Sequence, residues 1–354
     1  MNRYLVKTLE EVTEFTLGTV ENLFHPGQFR PLTETEFSAH PSDLQSFYAA
    51  PPGAPEMAII PVHSGRDGSR RLRFSFPSPI ASPYPENNIA YGLADLRPPG
   101  MARGALIFLH GHKMTGLGPL EWFTRLSIRA GYDVYYLVGP YHMQRRPKGS
   151  YNGQYSVSAD LGRTLQAFQQ GVVETRLLIS WIKSQQELPV ALAGISLGGY
   201  VAALAACVDE RIAALAPMVT GASFARLVWE DYSLRYVRGE LLKAGVGPQE
   251  LEEIWALAAP GRWRPLLQPE RILLMAGQHD PAVLPSNTLD LWRAWGQPGL
   301  RWYPCGHTTM FFYAGSMGRD LAEFLLHSDH SPVPTIDQAD TRAGRKSLPK
   351  IRSA

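Results

Sequence analysis

Between an apolar run, Val190 to Ala193, and an alanine-rich stretch, the chain carries Gly194-Ile195-Ser196-Leu197-Gly198-Gly199. No other segment restricts the fold as strongly. An apolar run, a small-residue turn and a helix-forming stretch read as strand, tight turn and helix. Glycines two positions either side of Ser196 imply backbone packed too closely for a Cβ. A serine held this way projects from the turn at the positive end of a helix dipole. G-x-S-x-G alone occurs by chance, and an idle serine at a glycine-rich helix start is the plain alternative. The strand before it and the helix after it turn the motif into a nucleophile-elbow pattern.

The surrounding periodicity supplies a sheet for that turn. Short β-like runs at Met57 to Val62, Arg71 to Phe76 and Asn88 to Leu96 precede a buried strand, Ala105 to Leu109. Helix and strand then alternate: helix Pro119 to Ala130, strand Asp133 to Val138, helix Leu161 to Ser184, the elbow strand and its helix, and strand Ile212 to Val219. Strand Arg271 to Met275, helix Ser286 to Trp295, strand Leu300 to Tyr303 and helix Ser316 to Leu326 complete the series. Early antiparallel strands followed by strand–helix units imply an α/β fold: a mostly parallel central sheet with helices on both faces. The interruption at 220–268 predicts a short helical lid insertion, with Phe224, Leu227, Val228, Trp229, Tyr232 and Trp255 able to form an apolar pocket or to pack the lid down. The expected division is an N-terminal helix and irregular extension over 1–56, packing on the core, a main domain over 57–327, and a disordered polar tail over 328–354.

A serine hydroxyl needs a general base to take its proton. Among ten histidines, His307 follows the last predicted strand in Pro304-Cys305-Gly306-His307, so its loop opens at the same sheet edge as the elbow. Asp280 stands at another strand end, in Ala276-Gly277-Gln278-His279-Asp280-Pro281, where a carboxylate can fix the imidazole tautomer. The loop after Val219 has no acid until Glu230 and Asp231. The order Ser, Asp, His is the one expected for an elbow-bearing α/β sheet. The strand Ala105 to Leu109 runs into His110-Gly111-His112, and the amides of Leu197 and His112 are the expected oxyanion donors. In the loop Gly139 to Pro147, His142, Arg145 and Arg146 could grip an anionic group, or form a solvated basic loop; Trp229 is a further candidate contact. A zinc site from His110, His112 and His142 is the weaker reading, because the spacing lacks a helical H-E-x-x-H. No metal is expected.

A net charge of +2 spread along the chain gives no footprint for nucleic acid. The two cysteines, Cys207 and Cys305, suggest no disulfide framework, and a reducing compartment fits. The N-terminus lacks a secretory pattern and no apolar run is long enough to span a membrane, so a cytoplasmic location is expected. The helical face over 4–24 could touch lipid, but glutamates on its polar side favour packing on the domain. Oligomeric state is unreadable.

These residues resemble the α/β-hydrolase superfamily over roughly Met57 to Leu326, and more narrowly the α/β-hydrolase domain-containing protein 18 group and its bacterial relatives. The narrower likeness rests on Ser82-Pro83-Tyr84-Pro85-Glu86-Asn87-Asn88, LHGHKMTG at 109–116, PYHMQRRP at 140–147, GISLGGYVAAL at 194–204, AGQHDPAVLP at 276–285 and PCGH at 304–307. Many relatives have glycine where Met143 stands. The resemblance implies a cofactor-free hydrolase of esters, thioesters or amides, acting on a small-molecule or lipid acyl substrate. An acyltransferase, a lyase, a cofactor-free peroxidase or a non-catalytic binding protein on the same scaffold are the competing functions.

Overall fold

In a computed structural model of the chain the described residues are 6, 8–10, 30 and 43–327. The expected helix over 4–24 lies mostly, and the polar tail over 328–354 wholly, outside them. Nine strands form one sheet: β1 (Ala58–Ser64), β2 (Arg70–Pro77), β3 (Ile89–Leu96), β4 (Gly104–Leu109), β5 (Tyr132–Val138), β6 (Val190–Ile195), β7 (Ile212–Met218), β8 (Leu273–Gly277) and β9 (Gly299–Tyr303). Their spatial order is β1-β2-β3-β5-β4-β6-β7-β8-β9. The first three strands run antiparallel to their neighbours, and β4 to β9 are mutually parallel. The main helices are α1 (Glu121–Arg129), α2 (Leu161–Gln185), α3 (Leu197–Ala206), α4 (Ala225–Glu230), α5 (Arg235–Lys243), α6 (Pro248–Ile254), α7 (Pro285–Ala294) and α8 (Ala314–His327). Strand and helix ends fall within a residue or two of the sequence expectation.

Side-chain alternation explains the two layers. Ala105, Ile107 and Leu109 of β4, with Val190 and Leu192 of β6, pack into a core under α2, α3 and α7. Leu106 and Phe108, with Ala191, Ala193 and Ile195, face the opposite core under α1 and α8. Each fully buried leucine or phenylalanine contributes about 1.5–3 kcal/mol, so neither face can be left bare. The connection from β4 to β5 passes over one face and that from β6 to β7 over the other. The chain thus leaves adjacent strands β4 and β6 in opposite directions, which opens a crevice at their carboxyl ends. The outer edge is blunted: β1 is exposed throughout but carries Pro61 and a register shift between Pro61 and His63. Between β7 and β8 the chain makes the expected helical excursion, α4 to α6.

Candidate active site

Ser196 closes β6 and caps α3 with φ 52° and ψ −117°, a backbone conformation a side chain rarely tolerates. The glycines make it possible. A Cβ on Gly194 would run into the Gly198 carbonyl, and one on Gly198 into the carbonyls of Leu109 and His110. A Cβ on Gly111, in the loop after β4, would come into ordinary contact with Ile195 and Ser196. The elbow and that loop therefore meet at the crevice between β4 and β6.

Two further strand ends deliver their side chains to the same point. His307 Nε2 lies 2.9 Å from Ser196 Oγ, and His307 Nδ1 lies 2.8 Å from Asp280 Oδ2. A carboxylate only accepts, so the ring proton sits on Nδ1 and Nε2 accepts from the serine hydroxyl. The other Asp280 oxygen accepts from the amides of Ala282 and Val283, at 2.9 and 2.8 Å, fixing the carboxylate in its own turn. The acid and histidine loops are also tied by backbone, His279 N–H donating to the Cys305 carbonyl. Burial disfavours the charged imidazole, but the Asp280 charge and hydrogen bond, joined by Asp231 and Glu10, raise His307 above its ordinary value. Burial pushes the Asp280 carboxyl up while His307 and the two amides pull it back.

The cleft over Ser196 has an empty volume of about 880 Å³ and opens to solvent. Its walls include Met114, Val157, Phe224, Leu227, Leu234 and Phe311, with Lys113 and Asp231 as charged members. Leu197 opens α3, so its amide has no acceptor within the helix. His112 lines the cleft beside it, whereas the Lys113 amide donates to the His142 ring. Of the aromatic and apolar residues expected in a lid, Phe224 and Leu227 face the cleft. Val228 and Trp255 are buried in the core, and Tyr232 lies outside under the Arg235 guanidinium.

The expected substrate grip in the loop after β5 needs correction. Arg145 is fully buried, with both terminal nitrogens on the Glu174 carboxylate at 2.6 and 2.7 Å and on the carbonyls of Val138 and Asn87. The Asn87 side chain meanwhile accepts from the Tyr141 amide and donates to Gln170. These motifs lock the loop to α2; they do not present charge to the cleft. His142 is also fully buried, its Nδ1 donating to Pro140 and its Nε2 accepting from Lys113. Arg146 is exposed and donates to the Ser150 carbonyl, and Trp229 packs half-buried against the core; neither lines the cleft. Met143 adopts φ 52°, a left-handed backbone that favours glycine, and its amide donates to Asn152. Sequence reasoning missed Asp231 and Glu10. Asp231 stands well beyond Met218, where its strand ends, and Glu10 has no local signal that separates it from the other glutamates of its segment. Among the described residues no group of three His, Cys, Asp or Glu could hold a metal ion, and no helix is long and apolar enough to cross a membrane. Both cysteines are free and buried.

Residues 122–244 match the family described as Alpha/beta hydrolase domain containing 18. Over 285 residues the chain is 32% identical to the uncharacterized protein Rv2627c of Mycobacterium tuberculosis, an alignment covering 75% of this chain and 66% of that protein. The chain thus spans just under two thirds of that relative's length. Acetyl xylan esterase 1 from Thermoanaerobacterium sp. superposes with a TM-score of 0.59 at 15% identity, covering 84% of this chain and 99% of the esterase. S-formylglutathione hydrolase from Agrobacterium tumefaciens superposes with a TM-score of 0.52 at 14% identity, covering 77% of this chain and 98% of the hydrolase. At such identities the solved structures speak for the fold alone. Its sheet order and elbow give the chain the α/β-hydrolase fold, and residues 122–244 carry the likeness to that family.

Proposed function

We propose that the chain is a serine hydrolase that cleaves a carboxylic ester, of a small molecule or a lipid, through an acyl-enzyme. The observation that carries this reading is the continuous hydrogen-bonded chain from Ser196 through His307 to Asp280 at a strained elbow. His307 takes the Ser196 proton as Oγ attacks the acyl carbonyl, and Asp280 stabilises the imidazolium without itself being protonated. The amides of Leu197 and His112 hold the oxyanion. His307 then returns the proton to the leaving alcohol, and the same residues activate water to release the acid. The apolar cleft walls favour an acyl chain over a strongly charged group. Ester-cleaving superfamily members among the solved neighbours support the reaction class.

Replacing Ser196 with Ala should lower kcat by about 10³-fold or more. A fluorophosphonate probe should label native protein at Ser196, located by peptide mass spectrometry. An Ala variant that still turns over esters at the native rate ends the proposal.

A further inference from the structure

The histidine loop is held from behind by a residue from the far end of the chain. Glu10 is almost completely buried. Its carboxylate accepts from the Thr308 amide at 3.0 Å, the Thr308 hydroxyl at 2.8 Å and the Thr309 amide at 2.6 Å. On the other flank of His307, a Cβ on Gly306 would collide with the Glu10 side chain. Cys305-Gly306-His307-Thr308-Thr309 therefore wraps the carboxylate, and only glycine at 306 permits so close an approach. The Thr309 hydroxyl accepts from the Gly306 amide at 2.9 Å and closes the turn on itself.

We infer that Glu10 is a positioning residue for His307, fixing the loop so that the ring spans Asp280 and Ser196 in one orientation. The inference rests on the serine-hydrolase reading. Two consecutive amides, of Thr308 and Thr309, are charge-assisted donors to one carboxylate; without it they are donors seeking a partner. A displacement of about 1 Å at a reacting group costs on the order of 10²-fold in rate, so loosening this turn should act on kcat. The charged groups around the imidazole are Asp280, Asp231 and Glu10, with Lys113 across the cleft. Removing the negative charge at position 10 should also shift the imidazole toward lower pH.

The test follows the rate of Ser196 labelling by a fluorophosphonate against pH in the full-length protein, with Glu10→Gln, Glu10→Ala and Glu10→Asp beside the wild type. Each rate is normalised to the folded fraction measured by circular dichroism. The expected result is labelling slower by about 10-fold or more in Glu10→Gln and Glu10→Ala, an acid-shifted midpoint and partial rescue by Glu10→Asp. If Glu10→Ala does not fold, Glu10→Gln, nearly identical in shape, carries the comparison. Normalised rates within twofold of wild type, or a loss that leaves the midpoint unmoved, overturn the inference. A wild-type protein unlabelled at Ser196 instead removes the serine reading, and this inference with it.

Discussion

Acid should unfold this protein through three histidines whose rings take no part in the proposed chemistry. His110 and His142 are buried and His112 is half-buried beside the elbow, with ring centroids of His142 4.7 Å from His110 and 5.9 Å from His112. Each is held as the neutral ring. His110 Nε2 accepts from the Gly139 amide and its Nδ1 donates to the Gly111 carbonyl; His112 Nε2 donates to Gly153. His142 accepts from Lys113 and donates to Pro140, as described above. Protonation would set a ring N–H against a backbone N–H at His110 and at His142. Burial lowers His110 to about 4 and His112 to about 3, and drives His142 well below its ordinary value.

The sign follows directly. The unfolded chain takes up three protons near pH 6.5 that the native state refuses, so stability is full above that pH and drains away as pH falls toward the folded values. Each proton is worth about 1.4 kcal/mol per pH unit, giving a limiting slope of about 4 kcal/mol per pH unit for the three. Integrated from pH 7 to pH 5 the loss is about 6 kcal/mol, comparable with the whole stability of many domains. His307, raised in the native state, contributes nearly constant stability below pH 6 and loses it on the alkaline side. Asp133 and Asp280, raised by burial, favour the native state as they take up protons, and so offset the loss only toward the acid end. Urea titrations followed by tryptophan fluorescence at half-unit steps from pH 7 to pH 5 would give the slope. In His110→Asn, which keeps a donor and an acceptor, it should flatten by one proton whatever happens to stability at pH 7. A wild-type slope at or below about 1.4 kcal/mol per pH unit, or one unchanged in the variant, refutes the argument.

Two other perturbations test the roles assigned above. Arg145→Met leaves the Glu174 carboxylate buried without its cation and should cost about 3–5 kcal/mol in urea unfolding, while adding Glu174→Leu should recover most of the loss. Asp280→Asn should lower kcat on the order of 10⁴-fold by favouring the wrong ring tautomer, and should move the midpoint of the kcat/KM profile to lower pH, measured with a chromogenic ester.

The sheet and the three strand ends were legible because their signals are local. An apolar run such as Val190 to Ala193 identifies a strand buried on both faces without reference to anything distant. The serine turn announces itself through glycines whose missing Cβ atoms the packing accounts for. The loop after β5 was legible only as composition. Adjacent arginines at 145 and 146 carry the same charge, yet the 3-10 turn at Met143–Arg145 sends one into the core and leaves the other in water. What separates them is Glu174, midway along α2 and fully buried; nothing in its own neighbourhood distinguishes it from a solvent-facing helical acid. Glu10 was hidden for the same reason: its partners lie almost three hundred positions away.

These buried acids share a task set by the architecture. A site assembled at the ends of parallel strands depends on loops, and loops are the parts of a sheet protein least held by the ladder. Here each is anchored by a polar group that no substrate need touch. Asp280 secures its own turn through two amides, the Arg145–Glu174 pair fastens the loop after β5, and neutral imidazoles pin the loop bearing the expected oxyanion amide. Each anchor is an acceptor or ion pair removed from water, whose loss leaves donors stranded in a dry interior. Substitutions outside the cleft should therefore divide sharply. Those at these anchors should impair the chemistry, while those at exposed neighbours such as Arg146 should pass almost unnoticed.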